Sequence, residues 1–203
     1  LKANQNKFEA GGFSDTTTFD GKAVLAIGGV DGADELGGNM HEKLVAAYVY
    51  QMNLNTSFTG DDNLYVRLKA GDGWDGAFDS KPGTYHIEAK ETSVGDGAYF
   101  KVDKMWYTFP IGEKFTATVG PLIENYYMLA ATPSVYKPGA LKAFKLGGHG
   151  AAFGASTSTG AGLKYVADNG FAVSTTVNSK KAASTKGFLT NEDESKINTQ
   201  VAY

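Results

Sequence analysis

Three histidines, His41, His86 and His149, lie far apart and none sits at metal-ligand spacing from another, so each reads as a loop residue. With no cysteine in the chain, neither a thiolate site nor a disulfide framework can be built. The stretch "GGHGAAFG" has the glycines of a phosphate-binding loop, but a polar run and a strand pattern follow where a helix would have to open. "DGADE" and "DGWDG" lack the ligand spacing of a calcium loop. No serine stands in a nucleophile-elbow context. The residues therefore give no catalytic set, no metal site and no cofactor. What remains is surface chemistry: Gln51, Asn53, Asn55, Arg67 and Lys69 recur on alternate positions of two neighbouring segments, as the lining of an aqueous channel would require. An ordinary solvated sheet face is the competing reading for them. Lys137, Lys142 and Lys145 form a second, cationic group, suited to favouring anions at a constriction or simply solvated on an exposed loop.

The element that carries the first group is "LVAAYVYQMNLNTSFTG", Leu44 to Gly60. Every second residue from Leu44 to Phe58 except Thr56 is apolar or aromatic, whereas Gln51, Asn53, Asn55, Ser57 and Thr59 fall on the other beat. Period two is the side-chain alternation of a strand. Strands of soluble domains run about five or six residues, and a tilted crossing of a bilayer needs roughly nine to eleven. This segment is long enough to cross. "NLYVRLKAG" repeats the pattern, with Leu64, Val66, Leu68 and Ala70 against Asn63, Tyr65, Arg67 and Lys69.

Six further segments alternate in the same way: "TTTFDGKAVLAIGG", "AYFKVDKMWYTF", "FTATVG", "STGAGLKYVA", "FAVSTTVNS" and "KINTQVAY". The spacing predicts eight strands, with short turns at Gly60 to Asp62, Pro110 to Glu113 and Asp168 to Gly170. Long connections separate the other pairs, among them an Asp72 to Asp96 loop with a short strand at Tyr85 to Ala89, and a segment from Pro121 to Gly154. Turn length sorted by parity is the asymmetry of outer-membrane barrels. Residues 1–15 read as a polar lead-in and 16–203 as the barrel domain. Within the long segment, "SVYKPGALKAFKLGG" predicts a helical turn or two that folds into a channel and carries the three lysines. Tyr48, Tyr50, Phe58, Phe100, Trp106 and Phe109 suit aromatic girdles at the headgroup level, or else a sandwich core.

Composition excludes several classes. A net charge of −3 and a pI of about 5.6 give no basic stripe for nucleic-acid phosphates. No run of about 18 apolar residues is present, which removes a transmembrane helix but leaves a strand-built barrel untouched. The 26 glycines carry no collagen-like period and serve turns and close backbone approaches.

The segments "FSDTTTFDGKAVLAIGGVDG", "YQMNLNTSFTGDDNLYVRLKAGDG", "VDKMWYTFPIGEKFTATVGPLIENYYMLAATPSVYKP" and "GGHGAAFGASTSTGAGLKY" resemble cyanobacterial outer-membrane porins. The likeness is greatest to marine picocyanobacterial members of the carbohydrate-selective porin superfamily, of the type called iron-uptake porins. It runs from about Phe13 over nearly the whole chain. The resemblance implies an all-β, antiparallel up-and-down transmembrane β-barrel in the cell outer membrane, and a passive diffusion channel for small hydrophilic solutes and inorganic ions. It also implies a homotrimer seated in outer-membrane lipid, a cell-wall link through a surface-layer-homology domain, and a barrel of about sixteen strands. The eight strands here then read as its amino-terminal half. The structural alternative is a complete eight-stranded outer-membrane barrel with a filled interior, used for adhesion or envelope anchoring.

Overall fold

The computed structural model describes residues 16–28, 44–72, 100–131 and 157–203. The helical turns expected around Lys137, Lys142 and Lys145 and the strand expected at Tyr85 to Ala89 lie outside the described residues. Eight strands form a single antiparallel sheet in sequence order: β1 (Thr17–Gly28), β2 (Val45–Thr56), β3 (Asn63–Asp72), β4 (Lys101–Ile111), β5 (Phe115–Glu124), β6 (Thr157–Val166), β7 (Ala172–Ser179) and β8 (Ser195–Ala202). Each pairs with its neighbour in the chain, and β1 and β8 are not paired with each other. No helix among the described residues is long and apolar enough to cross a membrane. The strands, at eight to twelve residues, are close to the length a tilted crossing takes.

Register sorts the side chains into two faces. On one, Phe19, Leu54, Val66 and Met105 follow one another across β1 to β4, and Tyr107, Val119 and Ala161 continue the row into β5 and β6. This face is left open by the fold: Leu25, Ile27, Val119, Leu163, Ile197 and Val201 are all exposed. An apolar belt of this breadth, uncovered by any packed layer among the described residues, is what hydrocarbon covers in a membrane barrel. Aromatic rings edge it at both ends. Toward the short turns, Phe58 meets Tyr107 at 6.2 Å between ring centroids, Tyr107 stacks on Phe109 at 5.4 Å, and Phe115 meets Tyr165 at 5.0 Å. Toward the long connections, Tyr50 meets Phe100 edge-on at 5.9 Å, beside exposed Tyr48.

Two irregularities decide which face later residues take. Arg67 pairs with Lys104 but Leu68 with Val102, so β4 carries one extra residue, Asp103. Before this bulge the even-numbered Val102 faces the belt; beyond it the odd-numbered Met105, Tyr107 and Phe109 do. Trp106 is therefore turned to the opposite face, paired with Tyr65, and is not a girdle residue. The second irregularity lies in β5, which runs through Pro121 to Glu124 where the sequence suggests a strand ending before the proline. Between Gly120 and Ile123 the register shifts against both neighbours, and a proline fits a bulge because no ladder hydrogen bond is required of it there. Gly120 is needed for a second reason. A Cβ there would stand 2.5 Å from the Met105 carbonyl oxygen and 2.6 Å from Trp106 Cα.

The short turns are heavily tied. In the β2–β3 turn, Asp62 Oδ1 accepts the backbone N–H of Phe58 and Thr59 and the hydroxyls of Ser57 and Thr59, all at 2.8–2.9 Å, while Tyr107 donates its hydroxyl to Oδ2. The Tyr107 hydrogen bond, with those from Thr59 and Ser57, outweighs the cost of burial and holds the Asp62 carboxyl well below the usual carboxylate range. Lys114 in the β4–β5 turn reaches Asp168 in the β6–β7 turn at 2.9 Å, linking two turns at the same end of the sheet.

Candidate functional site

The face opposite the apolar belt is polar, and register gathers the expected lining residues on it. Gln51 stands opposite Lys69, Asn53 opposite Arg67 and Asn55 opposite Tyr65, so all five predicted positions form one patch across β2 and β3. The patch is knit by side chains. Asn63 donates to Asn55 at 3.1 Å, the Tyr65 hydroxyl donates to Asn53 at 2.8 Å, and Asn53 donates in turn to Asp20 on β1. Fixed hydrogen bonds between short polar side chains give a wall with a defined shape, which freely rotating chains in water would not.

Charge is concentrated one strand further on. Arg67 donates through Nε to Asp103 at 2.6 Å and lies 3.9 Å from Glu124, while Lys104 pairs with Glu124 at 3.2 Å and donates to the Thr157 hydroxyl. Lys69 stands opposite Lys101 on the same face. Arg67 and Lys104 thus meet the two carboxylates Asp103 and Glu124, and Lys69 and Lys101 on the same face add a modest positive excess. Sequence reasoning found Arg67 and Lys69 and missed Lys104, Asp103 and Glu124. Their face depends on the bulge at Asp103 and on the run of β5 beyond Pro121.

A chain segment crosses this polar face. After β5 a single 3-10 turn, Asn125–Met128, packs against β5, β6 and β7. Met128 is buried over Gly162, where a Cβ would meet its side chain at 2.8 Å. Two residues on, the Ala130 N–H donates to the Ser174 hydroxyl at 3.0 Å, and Gln200 on β8 both accepts from the Ala131 N–H at 2.9 Å and donates to its carbonyl at 3.0 Å. The opening of the long β5–β6 connection is therefore fastened across the polar face from β5 to β8. The lysines expected at a constriction, Lys137, Lys142 and Lys145, follow in the same connection, outside the described residues.

Rings gather where this segment meets β3 and β4. Tyr65 and Trp106 lie 4.4 Å apart, Trp106 and Tyr127 5.0 Å, and Tyr127 and Tyr126 4.8 Å, all on the polar side. Trp106, Ile123 and Met128 are buried together with Tyr65 against them, a small core on an otherwise hydrophilic surface. Sequence alternation already set Tyr65 among the polar residues of β3; Tyr126 and Tyr127, in "ENYYM", carried no periodic signal.

Among the described residues no group of histidine, aspartate and glutamate could hold a metal ion. A long, two-faced antiparallel sheet with a bare aromatic-edged belt on one side and a charged, ring-bearing face on the other is the wall of a transmembrane barrel. A sequence profile of the family described as carbohydrate-selective porin, OprB family, matches residues 1–185. Searches of curated proteins and of solved structures return no significant match. The chain belongs to the OprB family of carbohydrate-selective porins.

Proposed function

We propose that this chain lines a passive diffusion channel of the outer membrane that admits sugars and other small hydrophilic solutes, with inorganic ions passing alongside. One observation carries the reading: the same eight strands that turn an apolar, aromatic-edged belt to one side turn Gln51, Asn53, Asn55, Arg67, Lys69 and Lys104 to the other. Passage needs neither cofactor nor catalysis; it is set by the bore and by the charges on the wall. The excess of cations over carboxylates on β3 to β5 supports a weak preference for anions among the ions, and Lys137, Lys142 and Lys145 would add to it at a constriction.

The sheet supports a barrel larger than itself. The outer edges of β1 and β8 have no strand partner among the described residues, and each unpaired backbone group in hydrocarbon costs several kcal/mol. Further strands closing the barrel to about sixteen, the size that leaves an aqueous channel, would satisfy both edges. A filled eight-stranded barrel would instead pair β1 with β8. A homotrimeric assembly, a cyanobacterial source and carriage of iron extend the same reading and rest on the resemblance of the sequence segments. The test is electrical. The intact porin, reconstituted into planar bilayers, should give stable ohmic conductance that glucose reduces in a concentration-dependent way; a closed, packed barrel would pass almost no current.

A further inference from the structure

Packing accounts for Tyr65 and Trp106 on the polar face but leaves the outward side of Tyr127 without a partner of its own kind. Tyr65, Trp106, Tyr127 and Tyr126 form a row with successive centroids 4.4, 5.0 and 4.8 Å apart and planes inclined by 30–36°. At the inner part of the row Trp106 is buried, whereas Tyr127 leaves half of its surface, 51%, exposed on the hydrophilic side. Covering the exposed part of that ring with an apolar surface would be favourable. Charged groups border the row: Glu124 accepts the Tyr126 hydroxyl and pairs with Lys104, and Arg67, two residues along β3 from Tyr65, is bonded to Asp103. An apolar plate set inside a rim of donors and acceptors matches a solute with a flat C–H face and hydroxyls around its edge.

We infer that Tyr127, held at its angle by Trp106, is a stacking subsite for the C–H face of a pyranose ring and makes the channel distinguish cyclic sugars from open-chain polyols of the same size. The subsite rests on the channel reading above. Ring faces carry partial negative charge, and the C–H bonds of a sugar face present the complementary polarity. An alditol has the hydroxyls but no rigid apolar face, so it can use the rim and not the plate. The fastening of the segment by Ser174 and Gln200 matters here, because a ring on a loose loop would have to be ordered by each solute.

The test compares glucose with sorbitol in the intact, membrane-reconstituted porin, reading the concentration of each that halves the ion current. Wild type is expected to bind glucose more tightly than sorbitol. Tyr127→Leu should shrink that glucose-to-sorbitol preference by roughly three- to tenfold, the worth of one aromatic contact, and Tyr127→Phe, which keeps the ring, should restore it. A preference that survives Tyr127→Leu overturns the subsite and leaves the carbohydrate channel standing. A conducting wild-type channel that neither polyol nor sugar blocks overturns the subsite and the carbohydrate reading together.

Discussion

Replacing Leu54 by arginine tests the two-faced wall at its most sensitive point. Leu54 lies four residues from Tyr50 at one aromatic edge and four from Phe58 at the other, with Phe19 and Val66 beside it in register. Eight residues at about 3.4 Å each, tilted by about 40°, span roughly 21 Å along the membrane normal, close to the ~25 Å apolar band of an outer-membrane barrel. Leu54 is thus near the midplane, where an arginine on the lipid side costs about 2–4 kcal/mol. Asn55, one residue on, stands opposite Tyr65 on the polar face. Asn55→Arg should change stability by less than about 1 kcal/mol and raise anion preference instead. The assay is reversible folding of the intact porin into short-chain lipid vesicles over a denaturant series, followed by single-channel reversal potentials. Equal destabilisation by the two arginines, or a larger cost at Asn55, would refute the assignment of faces.

Other expectations follow from single contacts. Gly120→Ala places a methyl group against the Met105 carbonyl oxygen and Trp106 Cα, backbone atoms that cannot swing aside; destabilisation of about 1–3 kcal/mol is expected in the same folding assay. Gln200→Ala removes both hydrogen bonds to Ala131, each worth roughly 0.5–1.5 kcal/mol, so the crossing segment should loosen and single-channel current become noisier, with little loss of global stability. Because hydrogen bonds from Tyr107, Thr59 and Ser57 depress the Asp62 pKa in the folded protein, its stabilisation of the β2–β3 turn is fully present above the unfolded value of about 3.9. It is lost as pH falls through the folded pKa. Hydrogen exchange at Thr59 should stay protected down to pH 4 and rise below it, and Asp62→Asn should remove that acid dependence.

The strands were legible because period two survives wherever one face meets lipid. Leu54, Leu68 and Ala117 could not move to the other face without turning polar or charged neighbours, Asn53 and Asn55, Arg67 and Lys69, Thr116 and Thr118, to hydrocarbon, so the alternation around them fixes the register. The eight strands and the patch from Gln51 to Lys69 follow directly. Trp106 was read on the wrong face because one inserted residue, Asp103, inverts the alternation, and nothing in "KVDKMWY" marks which residue is the extra one. Pro121 misled in the same way, since a proline ends a regular strand but is accepted at a bulge. The crossing segment was invisible for another reason: its hold on Ser174 and Gln200 joins residues 44 and 69 positions apart, and no local pattern encodes such a contact.

The most direct test of the central claim is a cysteine scan along β2, favoured by a chain with no cysteine of its own. Single cysteines from Gln51 to Asn55 in the intact porin would be treated with a water-soluble cationic thiol reagent while current is recorded. The account predicts modification and a change in current at Gln51, Asn53 and Asn55, with Met52 and Leu54 unreactive. Reaction at Met52 and Leu54, or no alternation at all, would contradict a polar face that lines water and an apolar face that meets lipid.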